Sequence, residues 1–121
     1  MNCYSSLATD DSIFVSSLNI KTIEMKTYLI QRNVPGAGKF TSAERKSLAQ
    51  RSCQVLEEMG SDQIQWLHSY ITSDNLWCIY EAQNEELVRE HARRGDFPAN
   101  FIHEVVGIFS PATAELSDSL I

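Results

Sequence analysis

The chain has 121 residues, about one ordinary domain, and its 43% hydrophobic and 21% charged residues are enough for a single core. Sixteen Asp and Glu against ten Lys and Arg leave a formal charge of -6, the wrong sign for a nucleic-acid footprint. No apolar run approaches the roughly 20 residues that a membrane-spanning helix requires.

Residues 1–24 carry their first positive charge at Lys21, behind Asp10 and Asp11, which is the reverse of a secretory leader. Five serines stand among the first seventeen residues, so this stretch reads as a disordered extension, with Met25 as an alternative start. The cysteines, Cys3, Cys53 and Cys78, are odd in number, widely spaced and lack any CxxC. They suggest neither a disulfide framework nor a zinc finger, and a cytoplasmic setting is the simplest expectation.

From Met25 onward, residues 26–32 mix β-branched and aromatic side chains and stop at Val34-Pro35-Gly36-Ala37-Gly38, which predicts a strand and a turn. Thr41 or Ser42 caps a helix; with Thr41 as the cap, Glu44 completes a capping box, Leu48, Ser52, Val55, Leu56 and Met59 form the repeating face, and Gly60 ends it. Residues 64–72 and 76–82 are two strands around Ser73-Asp74-Asn75. Asn84 caps a second helix whose Leu87, Val88, His91 and Ala92 share a face, and which closes at Gly95. Its charged side offers Glu85–Arg89 and Glu90–Arg94 pairs. Residues 101–109 are the last strand, and residues 111–121 a loose tail.

The order β-α-β-β-α-β, with right-handed crossovers, predicts an α+β, ferredoxin-like βαββαβ domain over residues 25–110: a four-stranded antiparallel sheet with two helices on one face. The other face is left open. Strand alternation puts Leu67, Ser69 and Ile71 under the helices and Trp66, His68 and Tyr70 on the open face, together with Trp77, Ile79 and Glu81. An aromatic face of that kind predicts a homodimer through Trp66, Tyr70 and Trp77.

Two constellations could carry chemistry. His68 and Glu81 share the open face, and an imidazole beside a carboxylate suits nickel, zinc, copper or iron. His91 points from its helix toward the sheet with Cys78 beneath it, an arrangement that could hold a soft metal, although a lone cysteine in a strand is more often a small core hydrophobe. His103 is treated as a surface residue. Neither Cys53 nor Cys78 stands at a helix N-terminus that would activate a thiol. Gly36-Ala37-Gly38-Lys39 lacks the ending of a phosphate-binding loop.

The segments Met25-Lys26-Thr27-Tyr28-Leu29-Ile30-Gln31-Arg32-Asn33-Val34, Trp66-Leu67-His68-Ser69-Tyr70, Cys78-Ile79-Tyr80-Glu81-Ala82 and Asn84-Glu85-Glu86-Leu87-Val88-Arg89-Glu90-His91-Ala92 resemble a family of small bacterial ferredoxin-like proteins, mostly of unknown function, that includes an actinobacterial nickel-binding protein. The resemblance implies a ferredoxin-like dimer binding nickel or a similar divalent metal. His91, Cys78 and Glu81 match its metal positions, and His68 joins them from the reading of the residues themselves. Metal-rich relatives carry further histidines where this chain has Gln31 and Gly95. The leading expectation is therefore a small metal-binding dimer. The alternatives are a dimeric α/β-barrel enzyme using His68 or His91 as acid or base in a cavity between sheet and helices, and a non-catalytic sensor or interaction module built on the aromatic face.

Overall fold

The computed structural model describes residues 24–116; the extension expected over residues 1–24 lies almost wholly outside them. The elements are β1 (Lys26–Asn33), α1 (Ser42–Met59), β2 (Ile64–Ile71), β3 (Asn75–Ala82), α2 (Glu85–Gly95) and β4 (Phe101–Val105), with 3-10 turns at Ala37–Lys39 and Pro111–Glu115. The sheet order is β2-β3-β1-β4 and every neighbouring pair is antiparallel, the ferredoxin-like arrangement.

Local chemistry sets the helix ends where the sequence placed them. The Thr41 hydroxyl accepts from the Glu44 amide while the Glu44 carboxylate accepts from the Thr41 amide, closing the capping box. Gly60 ends α1 at φ 98, a conformation a side chain would resist. The Asn84 side chain accepts from the Leu87 amide to start α2, and both expected ion pairs, Glu85–Arg89 and Glu90–Arg94, form on its exposed side. Gly95 is needed for space as well: a Cβ there would collide with the Phe97 ring. The Gly36–Gly38 region is a structural tie. Gly36 N–H donates to Asp74 Oδ1 and Gly38 N–H to the Ser73 carbonyl, so these amides hold the β2–β3 turn rather than a phosphate.

Tyr28, Ile30, Cys78, Tyr80 and Ala82 alternate along β1 and β3 into the buried layer, where they meet Leu56 and Val88 from the helices. Two expectations fail here. The last strand stops at Val105 instead of 109, because Val105 pairs with Thr27, one residue short of the start of β1. Beyond it the chain runs out of partner, and Val106 is 93% exposed. More consequential is β2. Its pairing with β3 runs Gln65↔Glu81, Trp66↔Tyr80, then His68↔Ile79, so Leu67 is an extra residue, a bulge. The bulge reverses the alternation. Ile64 and Trp66 lie on the helix side ahead of it, and Ser69 and Ile71 return to that side after it. Trp66 therefore leaves the open face assigned to it above and packs against the core.

Candidate functional site

The structure separates the four candidate ligands into two places. On the open face, His68 is exposed and stands edge-on to Tyr70, 5.1 Å between ring centroids. Opposite His68 is Ile79; Glu81 lies two residues further along β3, a diagonal neighbour on the same face. Among the described residues they form no ion pair, and no group of three metal-ligating side chains exists there.

The register reveals a row that the sequence reading missed. His68 is opposite Ile79, Ile79 opposite Leu29, and Leu29 opposite His103. A single line thus crosses all four strands with a histidine at each end. At about 4.8 Å per strand spacing, the two imidazoles stand roughly 14 Å apart. The signal was present in β4: His103 shares a face with Phe101, on which it stacks at 6.3 Å, but the side of β4 could not be fixed without the β1 register. Around the row lie Trp77 and the exposed rings of Tyr70 (59%) and Phe101 (54%).

The second place is the interior. His91 is fully buried between Tyr80 (5.0 Å) and Phe97 (5.5 Å). Its Nε2 is 3.1 Å from Ser52 Oγ, which is 3.4 Å from Tyr80 Oη, while Nδ1 has no partner. An N–H at Nδ1 would be an orphaned buried donor, costing about 1–3 kcal/mol. The network thus assigns the proton to Nε2, donating to Ser52, and this His91 is no base for that hydroxyl. Burial, and after it the Arg32 charge, lower the His91 pKa from 6.5 to about 4, whereas burial pushes the Tyr80 phenol up to about 12.

Cys78 is a free buried thiol. Its Sγ accepts from Arg32 Nε at 3.4 Å. Arg32, in phase with Tyr28 and Ile30 on β1, is only 2% exposed. Its Nη1 donates to the Pro98 carbonyl at 2.6 Å, its guanidinium carbon lies 5.3 Å from the Phe97 centroid and 5.9 Å from that of Tyr80, and Nη2 is unpartnered. A cavity of about 190 Å³ opens beside it, between α1 and the β2–β3 half of the sheet. No described helix is long and apolar enough to cross a membrane.

Comparison with curated proteins finds no match. Among solved structures, the chain is similar to SCO4226 from Streptomyces coelicolor A3(2), with 19% identity and a TM-score of 0.58 over 69% of this chain and 99% of that one. At that identity the likeness speaks for the fold. The family described as nickel responsive protein SCO4226-like matches residues 28–105, from Tyr28 in β1 to the last residue of β4. By that match, the chain belongs to the SCO4226-like family of nickel responsive proteins.

Proposed function

We propose that the protein is a nickel-responsive dimer that holds nickel, or a similar divalent metal, between two open sheet faces. The observation that carries this reading is the row His68–Ile79–Leu29–His103. A two-fold axis parallel to the strands, midway along that row, sets Ile79 and Leu29 of the two copies against one another. It also brings His68 over His103 of the partner subunit. Glu81, diagonal to His68, supplies a carboxylate to the same edge. Two imidazoles and a carboxylate are a fitting donor set for nickel, and among the described residues the His68 ring contacts Tyr70 but makes no hydrogen bond that would compete for its lone pair. Each protomer alone offers too few ligands; the dimer supplies the rest. The half-buried and exposed apolar residues of this face, Leu29, Trp77, Ile79, Tyr70 and Phe101, give such a dimer its apolar contact.

The interior pair does not fit a cation. The Arg32 guanidinium sits against Cys78 Sγ and raises the potential around His91, so a divalent ion there would meet a permanent positive charge. Cys78 and His91 are accordingly read as structural members of the Arg32 network.

The dimer is tested by sedimentation velocity of the full chain. Trp77→Glu places a charge in the middle of the apolar face, and the expected result is a shift from dimer to monomer with little change in thermal stability. A monomeric wild type, both with and without nickel, contradicts the reading.

A further inference from the structure

Arg32 presents an unusual energetic problem. A guanidinium removed from water costs several kcal/mol unless it is paired and hydrogen-bonded. Here, among the described residues, no carboxylate lies within ion-pair distance of it, and Nη2 has no acceptor at all. The Pro98 carbonyl, the Cys78 sulfur and two ring faces offset part of this cost, yet none of them is an anion. Arg32 also forms part of the wall of the 190 Å³ cavity. A second arginine, Arg45 of α1, lines the same space, and it too has no acidic partner among the described residues.

The remainder of the wall has two characters. Leu48, Trp66, Ile71 and Leu76 are apolar, while the hydroxyls of Ser52, Ser69 and Tyr80 are the polar points. Ligand pockets are commonly apolar chambers with a few placed polar groups, and this one is small beside the usual range of about 300–1,000 Å³. Nucleotides and large cofactors are too big for it.

We propose that this cavity binds a small organic carboxylate, its acid group received by Arg32 and Arg45 and its short apolar body lodged between α1 and the β2–β3 strands. A carboxylate matches the planar fork of a guanidinium and supplies the acceptor that Nη2 lacks. The apolar wall selects against inorganic anions, which would leave it unfilled. Trp66 belongs to this wall because of the Leu67 bulge, so the residue that sequence alternation had assigned to the outer face becomes a reporter of the inner one. The site lies on the opposite side of the sheet from the metal reading above and does not depend on it.

The test is isothermal titration of the full chain with benzoate and hexanoate, against benzamide as the neutral isostere and inorganic phosphate as the bare anion, with Trp66 fluorescence followed in a Trp77→Phe background. One or both acids are expected to bind at one per protomer and to perturb Trp66, at least tenfold more tightly than benzamide or phosphate. Arg45→Gln, at an exposed position, weakens binding several-fold, and Ala49→Leu, which narrows the cavity, abolishes it while the protein stays folded. Arg32→Met abolishes it as well if that variant folds; the Arg45 and Ala49 variants decide the matter if it does not. Failure of both acids to bind, equal affinity for benzamide, tighter binding of phosphate, or binding untouched by Arg45→Gln and Ala49→Leu each overturns the proposal.

Discussion

Lowering the pH from about 6.5 to about 4 is expected to cost the folded protein roughly 3 kcal/mol through His91 alone. In the unfolded chain this histidine takes up its proton near 6.5, whereas in the folded one burial and the neighbouring Arg32 delay protonation until about 4. Between those values the unfolded state binds more protons, so stability falls as the pH drops through the window. Above 6.5 both states carry a neutral ring and the contribution is constant. Urea denaturation at half-unit pH steps measures it directly. His91→Leu removes the titrating group together with the orphaned Nδ1, and it should flatten the curve over that interval. Hydrogen bonds from Arg93 and Arg94 hold the Glu90 carboxyl below its ordinary range, so its shift is opposite in origin to that of His91 and lies on the exposed side of α2. An unchanged slope in His91→Leu would mean that His91 is not the neutral, desolvated group described here.

Truncating Tyr80 to alanine should remove about 3–5 kcal/mol, the usual cost for a large buried aromatic side chain. Tyr80 is 3% exposed and joins every part of the inner network. It stacks on Trp66 at 6.4 Å, tilts against His91, lies beneath the Arg32 guanidinium and hydrogen-bonds Ser52. Its loss would extend the existing cavity and leave Arg32 with one ring face instead of two. Tyr80→Phe retains the stack and gives up only the long 3.4 Å hydroxyl contact, so it should cost no more than about 1 kcal/mol. Tyr70→Ala on the exposed face should change monomer stability by less than about 0.5 kcal/mol. Urea midpoints of the three variants check the ordering; a Tyr70 effect equal to that of Tyr80 would contradict the placement of the two rings on opposite faces.

The fold was legible because its signals are local. The Thr41 and Asn84 caps, Gly60 and the Ser73-Asp74-Asn75 turn each act within a few residues, and they fall where the chain bends or starts a helix. What escaped the sequence was register. Alternation holds along a strand only until a residue is left unpaired, and nothing in Trp66-Leu67-His68 announces the bulge at Leu67. That single extra residue moved Trp66 from the outer face to the inner one. The side of His103 depended likewise on its pairing with Leu29, which joins residues far apart in the chain. Arg32 was the opposite case. Its phase with Tyr28 and Ile30 was in plain view, but a charged residue at a strand's end reads as solvated unless the Pro98 carbonyl and the Phe97 ring are known to cover it. For the same reason the partners of Cys78 and His91, both expected inward, were not legible: Arg32 meets the thiol, and Ser52 links the imidazole to Tyr80.

The proposed metal site lies on the open face and not in the interior. Titration calorimetry of nickel into the tag-free full chain tests it most directly, with wild type compared to His68→Ala, His103→Ala and His91→Gln. One ion per protomer is expected in the wild type and in a folded His91→Gln, with a loss of at least tenfold in affinity in both His68→Ala and His103→Ala. Binding that survives in both of those variants, or that disappears only in His91→Gln, would contradict it.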